Sequence, residues 1–436
     1  MTESSPRGTR YGWYVVGVLT LANISANIDA QILALLAVPI RRDLGLSLTE
    51  MSYLIGLPFA IFYTLMGLPI ARMADRGNRR NIIAAGIALW SVMTALCGLA
   101  GTYSRLLLAR IGVGVGEAAL APPATSMLAD YFPRERLGSA MSVYSTAIFI
   151  GSGLAYFIGG WIIGLVEAQD VWTFPVIGSI RPWQTVFLMV GLPGLLIALL
   201  MFTVREPARQ NLPRVSVPLG ALFRYVGSNA RTFVCHSLGF AMSATVNYGI
   251  AAWLATFLVE KHGWSVPRAG MVMGILTITV GTLGVLAGGR LVDWFVRNGK
   301  IDGALRVGVI GAIGMLVSAT AYPFASTATL AIVWLVLVNF FAAFPWGAAS
   351  AAAAEIVPAA MRAQGVALYF FVLSLVSRAL GPIAVATVTD FVFGYDAALP
   401  YALAIVNVVG MTGAIALFLF GMPAYRRTLA NRDTWA

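Results

Sequence analysis

The chain has 436 residues, of which 59% are apolar and only 11% are charged, and its mean hydropathy is +0.82. A water-soluble protein of this length does not tolerate that composition, so soluble enzymes and soluble binding modules are excluded. The net charge of +11 would suit nucleic acid, but the basic residues lie mostly in short segments between apolar runs. In that position they indicate membrane orientation, and no nucleic-acid partner is expected.

Twelve apolar runs are long enough to cross a bilayer, which takes about 20 residues of helix. Glycine and proline are frequent within them, as expected where bundled helices approach closely or bend. The pattern predicts an all-α membrane protein with twelve transmembrane helices. In chain order, the predicted spans are 12–40, 48–71, 80–101, 103–131, 136–165, 183–204, 229–258, 267–296, 303–322, 326–357, 361–390 and 397–421.

The distribution of basic residues predicts the topology. With a cytoplasmic N-terminus, 21 of the 29 lysines and arginines are assigned to cytoplasmic segments and helix ends, and only Arg110 and Arg378 are assigned to the interior of a helix. The positive-inside rule then places both termini in the cytoplasm, and we expect the inner membrane of a bacterium. The first span is too long for a cleaved signal peptide, so it is predicted to remain as a helix.

Ionisable residues inside the first and fourth spans are the strongest functional signal. Arg110 and Glu117 are two helical turns apart, so both side chains can point to nearly the same face. Burying a charge in hydrocarbon costs roughly 2.5–3.5 kcal/mol on insertion scales, which is why such residues are usually functional. At about 1.5 Å per residue, Asp29 lies about 16 Å from the outer end of its span, between Arg110 at about 10 Å and Glu117 at about 21 Å.

We predict that Asp29, Arg110 and Glu117 form one proton-coupling site. A carboxyl group in a closed apolar cavity is driven towards its neutral form, whereas a nearby arginine or water favours the ionised form. Alternating access would change both conditions, so an acid could take a proton on one side and release it on the other. The alternative is a fixed ion pair of Arg110 and Glu117 that locks helix packing.

Other chemistry is not expected. Cys97 and Cys235 lie in apolar spans, and neither His236 nor His262 has ligand-type neighbours, so no disulfide framework or metal site is predicted. The stretch GVGVGE puts Glu117 where a dinucleotide-binding fingerprint needs its last glycine, and it lies within a span. We therefore predict no enzymatic activity and no cofactor besides the coupling proton.

Charged residues at the cytoplasmic helix ends predict an ion-paired gate. Asp75 lies at the end of the second span and Asp293 at the end of the eighth. An acid repeated at corresponding helix ends favours a gating role over a role in topology alone. Solvated topology charge remains the alternative for many of the arginines. The predicted gate comprises Asp75, Arg76, Arg79, Asp130, Arg134, Arg136, Asp293, Glu355 and Arg362.

Substrate contacts are predicted in the second half of the chain. Arg378 lies about 24 Å into its span, isolated within LSLVSRALGPIAV, and could bind an anionic head group. The aromatic residues of the seventh, tenth and eleventh spans would provide an apolar wall, although packing between helices is their alternative role. The predicted substrate-binding residues are Arg378, Asn339, Phe344, Trp346, Tyr369, Tyr248 and Trp253.

The chain divides into two similar halves. Prolines and charges in REPARQNLPRVSVP interrupt the apolar rhythm after six spans, and ARMADRGNRR after the second span is echoed by GRLVDWFVRNGK after the eighth. The predicted domains are a six-helix bundle over 1–204, a cytoplasmic linker over 205–228, and a second bundle over 229–436. Duplicated halves with a substrate site near the membrane midplane are a transporter architecture.

These motifs resemble the major facilitator superfamily. Its loop pattern G-x-x-x-D-[RK]-x-G-[RK]-[RK] compares with ARMADRGNRR here, with both glycine positions replaced, and its helix-four pattern L-x-x-x-R-x-x-x-G-x-G is met in full. The resemblance implies two pseudo-symmetric six-helix bundles, an inner gate at the loop acids, and secondary active transport by alternating access.

Within that superfamily the chain resembles Spinster-like proteins, which transport sphingolipids and lysolipids. The block ARIGVGVGEAALAPPATSMLADYFPRERLGSA carries the resemblance, including Glu117. One departure is that Ala30 stands where the subgroup commonly has an arginine after the acid of helix one. An apolar cavity with one fixed cation would suit an amphiphilic or lipid-like organic anion, and we expect a monomer that contacts membrane lipid.

Three other functions remain open. The main rival is a proton-driven importer of aromatic or sugar acids. A multidrug exporter is less favoured, because the helix-five pattern G-x-x-x-G-P-x-x-G-G lacks its central Gly-Pro at Ala155 and Tyr156. A non-transporting membrane sensor should have an extra soluble domain, which the span pattern does not suggest.

Overall fold

The protein is described by a computed structural model that covers residues 6–167, 169, 171–175, 178–209, 218–358 and 361–432. The α-helices of these ranges are α1 (Pro6–Leu35), α2 (Ala37–Leu44), α3 (Leu48–Ile55), α4 (Leu57–Arg76), α5 (Arg79–Cys97), α6 (Tyr103–Glu117), α7 (Ala121–Tyr131), α8 (Arg134–Val166), α9 (Pro182–Met201), α10 (Leu219–Ser228), α11 (Ala230–His262), α12 (Val266–Leu276), α13 (Thr282–Arg297), α14 (Gly303–Ala321), α15 (Ala328–Ala343), α16 (Trp346–Glu355), α17 (Arg362–Thr387) and α18 (Leu399–Asn431).

Within the described ranges, twelve helical segments are long and apolar enough to cross a membrane, which confirms the predicted all-α membrane fold. They agree with the predicted spans to within a few residues at most ends, but the first span ends at Leu35 rather than at 40 and the last extends to Asn431 rather than to 421. They are Arg10–Leu35, Leu48–Ala74, Arg79–Cys97, Tyr103–Tyr131, Arg136–Val166, Pro182–Met201, Ala230–His262, Val266–Arg297, Gly303–Phe324, Ala328–Glu355, Gln364–Phe393 and Asp396–Asn431.

Several spans are discontinuous. The fourth span breaks at 118–120, between α6 and α7, and the tenth breaks between α15 and α16 at Phe344 and Pro345. Proline removes a backbone donor and clashes with the preceding turn, so Pro122, Pro123 and Pro345 lie where a helix starts anew. As a consequence, Glu117 is the last residue of α6 and lies at the break.

The residues cluster into two compact units. One comprises Met1–Leu212 with Trp264–Ile278, and the other comprises Pro213–Gly263 with Thr279–Ala436. The first unit thus contains the first six spans and also α12, the start of the eighth. The predicted domain limits of 1–204, 205–228 and 229–436 stay a prediction, and residues 210–217 of the predicted linker lie outside the described residues.

Glycines allow α8 and α12 to approach closely within the first unit. A Cβ atom on Gly270 would lie 2.6 Å from the main-chain oxygen of Tyr156, and one on Gly274 would lie 2.6 Å from that of Gly153. Contacts of that length leave no room for a side chain. This crossing explains why the start of the eighth span clusters with the first unit.

Two π-helical turns interrupt otherwise regular spans. Thr277–Gly281 separates α12 from α13, and Val388–Phe393 follows α17. A π-turn inserts one residue into a helix and changes which side chains share a face. Hydropathy does not reveal such insertions, and neither was predicted.

The remaining elements lie between spans. Strands β1 (Trp172–Phe174) and β2 (Gly178–Ile180) form a short antiparallel hairpin after the fifth span. The helix α10 precedes the seventh span and is amphipathic, with Leu222 and Tyr225 buried and Phe223 exposed. Tyr225 anchors α10 by donating a hydrogen bond to the main-chain oxygen of Ile356 at 2.8 Å.

Candidate functional site

The three ionisable residues predicted for the first and fourth spans are buried together in the first unit. Asp29, Arg110 and Glu117 expose 1%, 1% and 6% of their surfaces, and Asp29 interacts electrostatically with both of the others. Asp29 is presented by α1, whereas Arg110 and Glu117 are presented by α6. The depth estimate from the sequence therefore grouped residues that the fold also groups.

Arg110 is held by the backbone of α1. Its Nη1 donates to the main-chain oxygen of Asp29 at 3.3 Å, and its guanidinium carbon lies 5.8 Å from the centre of the Phe59 ring. Among the described residues, Nε of Arg110 and Oδ1 of Asp29 have no hydrogen-bond partner. The guanidinium therefore donates to a carbonyl rather than to a carboxylate, unlike the fixed ion pair considered as the alternative.

Polar residues of α5 border the same cluster. Thr94 lies within interaction distance of the Asp29 carboxyl, and Cys97 lies near both Asp29 and Arg110. Trp90, Ser91 and Thr94 are all buried, and the side-chain polar atoms of Trp90 and Ser91 have no hydrogen-bond partner in the described part of the chain. Buried polar atoms are normally paired, so this cluster can accept new partners when the surroundings change.

A second ionic cluster lies at the start of α5. The Arg79 side chain is almost fully buried, and it donates from Nη1 to Asp130 at 2.5 Å and from Nε to Glu206 at 2.7 Å. Further bonds from Arg79 reach the Ser126 hydroxyl at 2.9 Å and the main-chain oxygen of Pro207 at 3.1 Å. Two predicted gate residues, Arg79 and Asp130, are thus brought together.

Glu206 is a member of this cluster that the sequence analysis missed. Its Oε1 accepts from Arg79, and its Oε2 accepts from the backbone N–H of Arg80 at 2.9 Å. The carboxylate therefore caps the positive end of α5 as well as pairing with Arg79. One signal could have found it, because Glu206 is the only acid in the basic segment 205–228.

For the other predicted gate residues, a place in the gate stays a prediction. The side chains of Asp75 and Arg134 lie outside the described part of the structure. Arg432 donates to the main-chain oxygen of Glu355 at 2.9 Å, which leaves the role of the Glu355 carboxyl a prediction. The exposed members are Arg76, Arg136, Asp293, Glu355 and Arg362.

A third ionic cluster lies just before α14 in the second unit and was also missed. The Asp302 carboxylate accepts from Arg306 Nε at 3.0 Å and from Arg426 Nη2 at 2.6 Å. Burial alone would raise the pKa of Asp302, but the hydrogen bonds from the two arginines outweigh it and hold that pKa below its ordinary value. Arg306 and Arg426 thus serve as partners rather than as topology charges alone.

Two of the predicted substrate residues meet in the second unit. The guanidinium carbon of Arg378 lies 5.4 Å from the centre of the Tyr248 ring, a cation–π distance. Arg378 is half-buried on α17 and Tyr248 is half-buried on α11. The fold therefore pairs the isolated cation of the eleventh span with an aromatic face of the seventh.

Two further predicted residues line a crevice within the second unit. Trp346 and Tyr369 form part of its wall, and the crevice is narrow, with a volume of about 30 Å³. The remaining wall adds polar groups that the sequence analysis did not single out. They are Ser243, Asn247 and Ser350, among apolar residues of α11, α15, α16 and α17.

The other three predicted substrate residues make packing contacts. Trp253 is fully buried and donates from Nε1 to the main-chain oxygen of Pro382 at 2.9 Å, so it joins α11 to α17. Asn339 donates to Leu335 within its own helix at 2.9 Å. Phe344 is buried at the break of the tenth span. None of the three lines the crevice described above.

His236 lies behind the crevice wall. It is fully buried, its Nε2 donates to the main-chain oxygen of Ala349 at 3.1 Å, and its ring packs against Phe240 and Tyr369 with centroids 5.1 Å apart in each case. No cluster of metal-binding side chains was found among the described residues. A histidine with a single carbonyl partner holds the second half of the tenth span against the seventh.

The comparison with protein families decides the class. Residues 19–301, well over half of the chain, match the model of the Major Facilitator Superfamily. The chain belongs to the Major Facilitator Superfamily. It is therefore an integral membrane transporter, and the predicted resemblance to Spinster-like proteins is supported by a solved structure of the same subgroup.

That structure is a bacterial homologue of the human lysosomal transporter Spinster, crystallised in an inward-facing and unoccupied conformation. It shares 30% sequence identity with this superfamily member, covers 99% of both chains, and superimposes with a TM-score of 0.80. This similarity extends over all twelve spans and confirms the predicted superfamily and subgroup.

Two full-length relatives carry functional names. An MFS-type efflux pump of Mycolicibacterium smegmatis is 28% identical over 97% of this chain and 95% of its own length. A probable L-galactonate transporter of Escherichia coli K12 is 25% identical over 97% of this chain and 92% of its own length.

Proposed function

We propose that this transporter moves an amphiphilic organic anion by alternating access and couples the movement to protons. Asp29 and Glu117 bind and release the coupling proton, and Arg110 links their charge to substrate occupancy. Arg378 with Tyr248 binds the anionic group of the substrate, while the crevice beside Trp346 and Tyr369 accepts an apolar part.

The buried cluster of Asp29, Arg110 and Glu117 is the observation that carries this proposal. Burying two acids and one arginine in hydrocarbon is energetically unfavourable, and ionisable residues at such positions more often have a function than a packing role. The single hydrogen bond from Arg110 runs to a carbonyl, so it does not commit the cation to either acid. A small displacement can therefore bring Arg110 nearer to one carboxyl or the other and change which of them is ionised.

Arg378 and the crevice support the choice of an amphiphilic anion. A half-buried cation backed by an aromatic ring suits a carboxylate or phosphate, since arginine binds both with two parallel hydrogen bonds. The crevice beside Trp346 and Tyr369 is lined mainly by small and aromatic residues, which would suit an alkyl or aromatic tail once the crevice widens during alternating access.

A sugar acid is the second candidate substrate. The full-length relative named as a probable L-galactonate transporter supports it, since galactonate is a polar anion that Arg378 could also bind. Ser243, Asn247 and Ser350 would then bind hydroxyl groups. Export is supported by the name of the mycobacterial relative, an efflux pump, but the drug-antiporter pattern of the fifth span is incomplete at Ala155 and Tyr156.

Transport in proteoliposomes tests the coupling site. Asp29→Asn and Glu117→Gln keep the shape of each side chain but remove its ability to release a proton. We expect both variants to lose accumulation driven by an imposed pH gradient while exchange of labelled for unlabelled substrate at equal pH continues. Glu260→Gln, an exposed acid at the end of α11, is the matched control and should behave as wild type. Gradient-driven accumulation by both coupling variants would refute the assignment.

The substrate for that assay comes from a thermal-shift screen of the purified protein. The compounds are lysophospholipids, sphingoid phosphates, aromatic acids and galactonate, each over a range of concentrations. A ligand raises the unfolding temperature in a dose-dependent way once its concentration passes the dissociation constant. Stabilisation by galactonate alone would favour the second candidate over the first.

A further inference from the structure

The surface where α11 begins and α18 ends carries basic side chains beside exposed apolar ones. Arg231 and Arg427 are both exposed there. The neighbouring apolar residues on the same two helices are also exposed, and Phe420 leaves 61% of its surface uncovered. The exposed apolar residues are Val234, Leu238, Leu419 and Phe420.

Arg231 is fixed in place on this surface. Its guanidinium carbon lies 3.7 Å from the centre of the Phe420 ring, and its Nε and Nη2 donate to the main-chain oxygen of Phe420 at 3.2 and 2.7 Å. A stacked arginine loses little further entropy when it binds an anion, because the side chain is already ordered. Its Nη1 remains available to a ligand.

Arg427 lies on the same face of α18 as Phe420. The two residues are seven apart, which is about two helical turns and about 10 Å along the axis. Nε of Arg427 reaches only the main-chain oxygen of Pro423, at 3.4 Å. The adjacent Arg426 differs, because its guanidinium is bound to Asp302. Arg231 and Arg427 form no ion pair with a carboxylate of the described residues.

We propose that the Arg231–Arg427 patch, made of Arg231, Phe420 and Arg427, binds the phosphate of an anionic membrane phospholipid. The phosphate lies between the two guanidinium groups, and an acyl chain packs along Val234, Leu238 and Leu419. The distribution of arginines predicts this end of the helices to be cytoplasmic, where anionic lipids attract basic side chains. A lipid bound here stabilises the packing of α11 against α18.

The surroundings favour a lipid over a free anion or a protein. An inorganic phosphate would use the two cations but none of the exposed apolar surface below them. The amphipathic helix α10 ends at Ser228, three residues before Arg231. Its Tyr225 ring packs edge-on against Phe233 of α11 at 6.0 Å, while Phe223 is exposed. Helices of this kind lie in the membrane interface, which puts the patch at head-group depth.

Thermal unfolding in mixed micelles tests the patch. Dioleoylphosphatidylglycerol should raise the unfolding temperature of the wild type more than dioleoylphosphatidylcholine at the same mole fraction, and inorganic phosphate should have no effect. Arg427→Gln should weaken apparent binding of phosphatidylglycerol roughly five-fold, the effect of one basic residue near an anionic surface. Arg231→Gln should also weaken the binding of phosphatidylglycerol. If the loss of the Arg231 hydrogen bonds impairs folding, Arg427→Gln alone still tests the patch.

Two control variants separate this site from others. Arg290→Gln removes an exposed arginine of the eighth span and should leave the phosphatidylglycerol effect intact. Arg378→Ala should also leave it intact, because the patch does not include the proposed substrate cation. Equal stabilisation by both lipids, an unchanged response in Arg427→Gln, or a loss confined to Arg378→Ala would each overturn the inference. The last outcome would assign the lipid to the transport site instead.

Discussion

Single charged residues inside the membrane carry most of the functional argument. Arg110 lies beside two acids yet donates to a carbonyl, and Arg378 lies on an aromatic ring. Both arginines are isolated within apolar sequence, which makes them conspicuous in the amino-acid sequence alone. Their neighbours are less conspicuous, because a membrane helix that is apolar on every side gives no periodic signal of orientation. That is why Trp253 and Trp346 look alike in sequence but differ in the fold.

Arg378→Ala provides a test at this scale. The substitution removes the cation but leaves the Tyr248 ring. We therefore expect the apparent affinity for an anionic ligand, taken from the dose dependence of the thermal shift, to fall by at least about ten-fold, because one charge-assisted hydrogen-bonded pair is lost. The shift is measured by unfolding of the purified variant with the ligand selected in the screen. Arg290→Ala is the control. An unaltered shift in Arg378→Ala would move the anion site to Arg110.

Helix ends and crossings determine how the elements are held. Glu206 was missed because it follows the sixth span in a segment whose path no helical periodicity describes. Its carboxylate nevertheless ties that segment to α5 through the side chain of Arg79 and the backbone of Arg80. The buried Arg79 gains both of its acidic partners only when the segment folds back.

Glu206→Gln should therefore destabilise the first unit. The substitution leaves Arg79 with Asp130 as its one ionised partner, and we expect a loss of about 1–3 kcal/mol in unfolding free energy. Thermal unfolding in detergent measures the change. Asp293→Asn neutralises an exposed acid and should shift the midpoint little. If the two variants have the same unfolding midpoint, the ionic cluster around Arg79 does not stabilise the first unit.

The crossing of α8 with α12 gives a second test with a matched pair of glycines. A Cβ on Gly270 would lie 2.6 Å from the main-chain oxygen of Tyr156, so Gly270→Ala must push the helices apart. We expect a loss of about 1–3 kcal/mol. Gly289→Ala adds a methyl group in α13 where nothing lies within 4 Å, and it should stabilise by up to about 1 kcal/mol through helix propensity. Both changes are measured by thermal unfolding, and equal effects would contradict the contact.

At the level of the whole molecule, the sequence predicted the number of spans and the family but not the interruptions of the spans. Hydropathy is averaged over a window of about 20 residues, which hides a short break. The turn after Glu117 and the π-turn at Thr277–Gly281 therefore could not be predicted from hydropathy. The grouping of Asp29, Arg110 and Glu117 was predictable because helical rise converts sequence position into depth. The pairing of Asp302 with Arg426 was not, because Arg426 lies far along the chain in α18, whereas Arg306 is only four residues from Asp302.

The stability of the second unit should depend on acidity through Asp302. The pKa of Asp302 is below its ordinary value in the folded protein, so the folded state binds a proton at this carboxylate less tightly than the unfolded state does. The contribution is fully present above the ordinary value of about 3.9 and is lost as the pH falls through the lower folded pKa. Thermal unfolding between neutral and acid pH should show this loss in the wild type. Asp302→Asn should remove that part of the pH dependence and cost about 1–3 kcal/mol at neutral pH. If the variant loses stability at acid pH as much as the wild type does, that loss belongs to other carboxyl groups.

The ionic clusters at the starts of α5 and α14 bear on how the two halves of the gene can evolve. The third span starts with buried Arg79, held by an acid that follows the sixth span, whereas the ninth span is preceded by buried Asp302, held by Arg426 at the end of the twelfth. The polarity is therefore reversed between the repeats. Recombination that exchanged corresponding segments would set Arg79 against Arg426, or Asp302 against Glu206, and leave like charges in place of each pair. Such products would fold poorly, so the two repeats are expected to diverge without gene conversion across these segments.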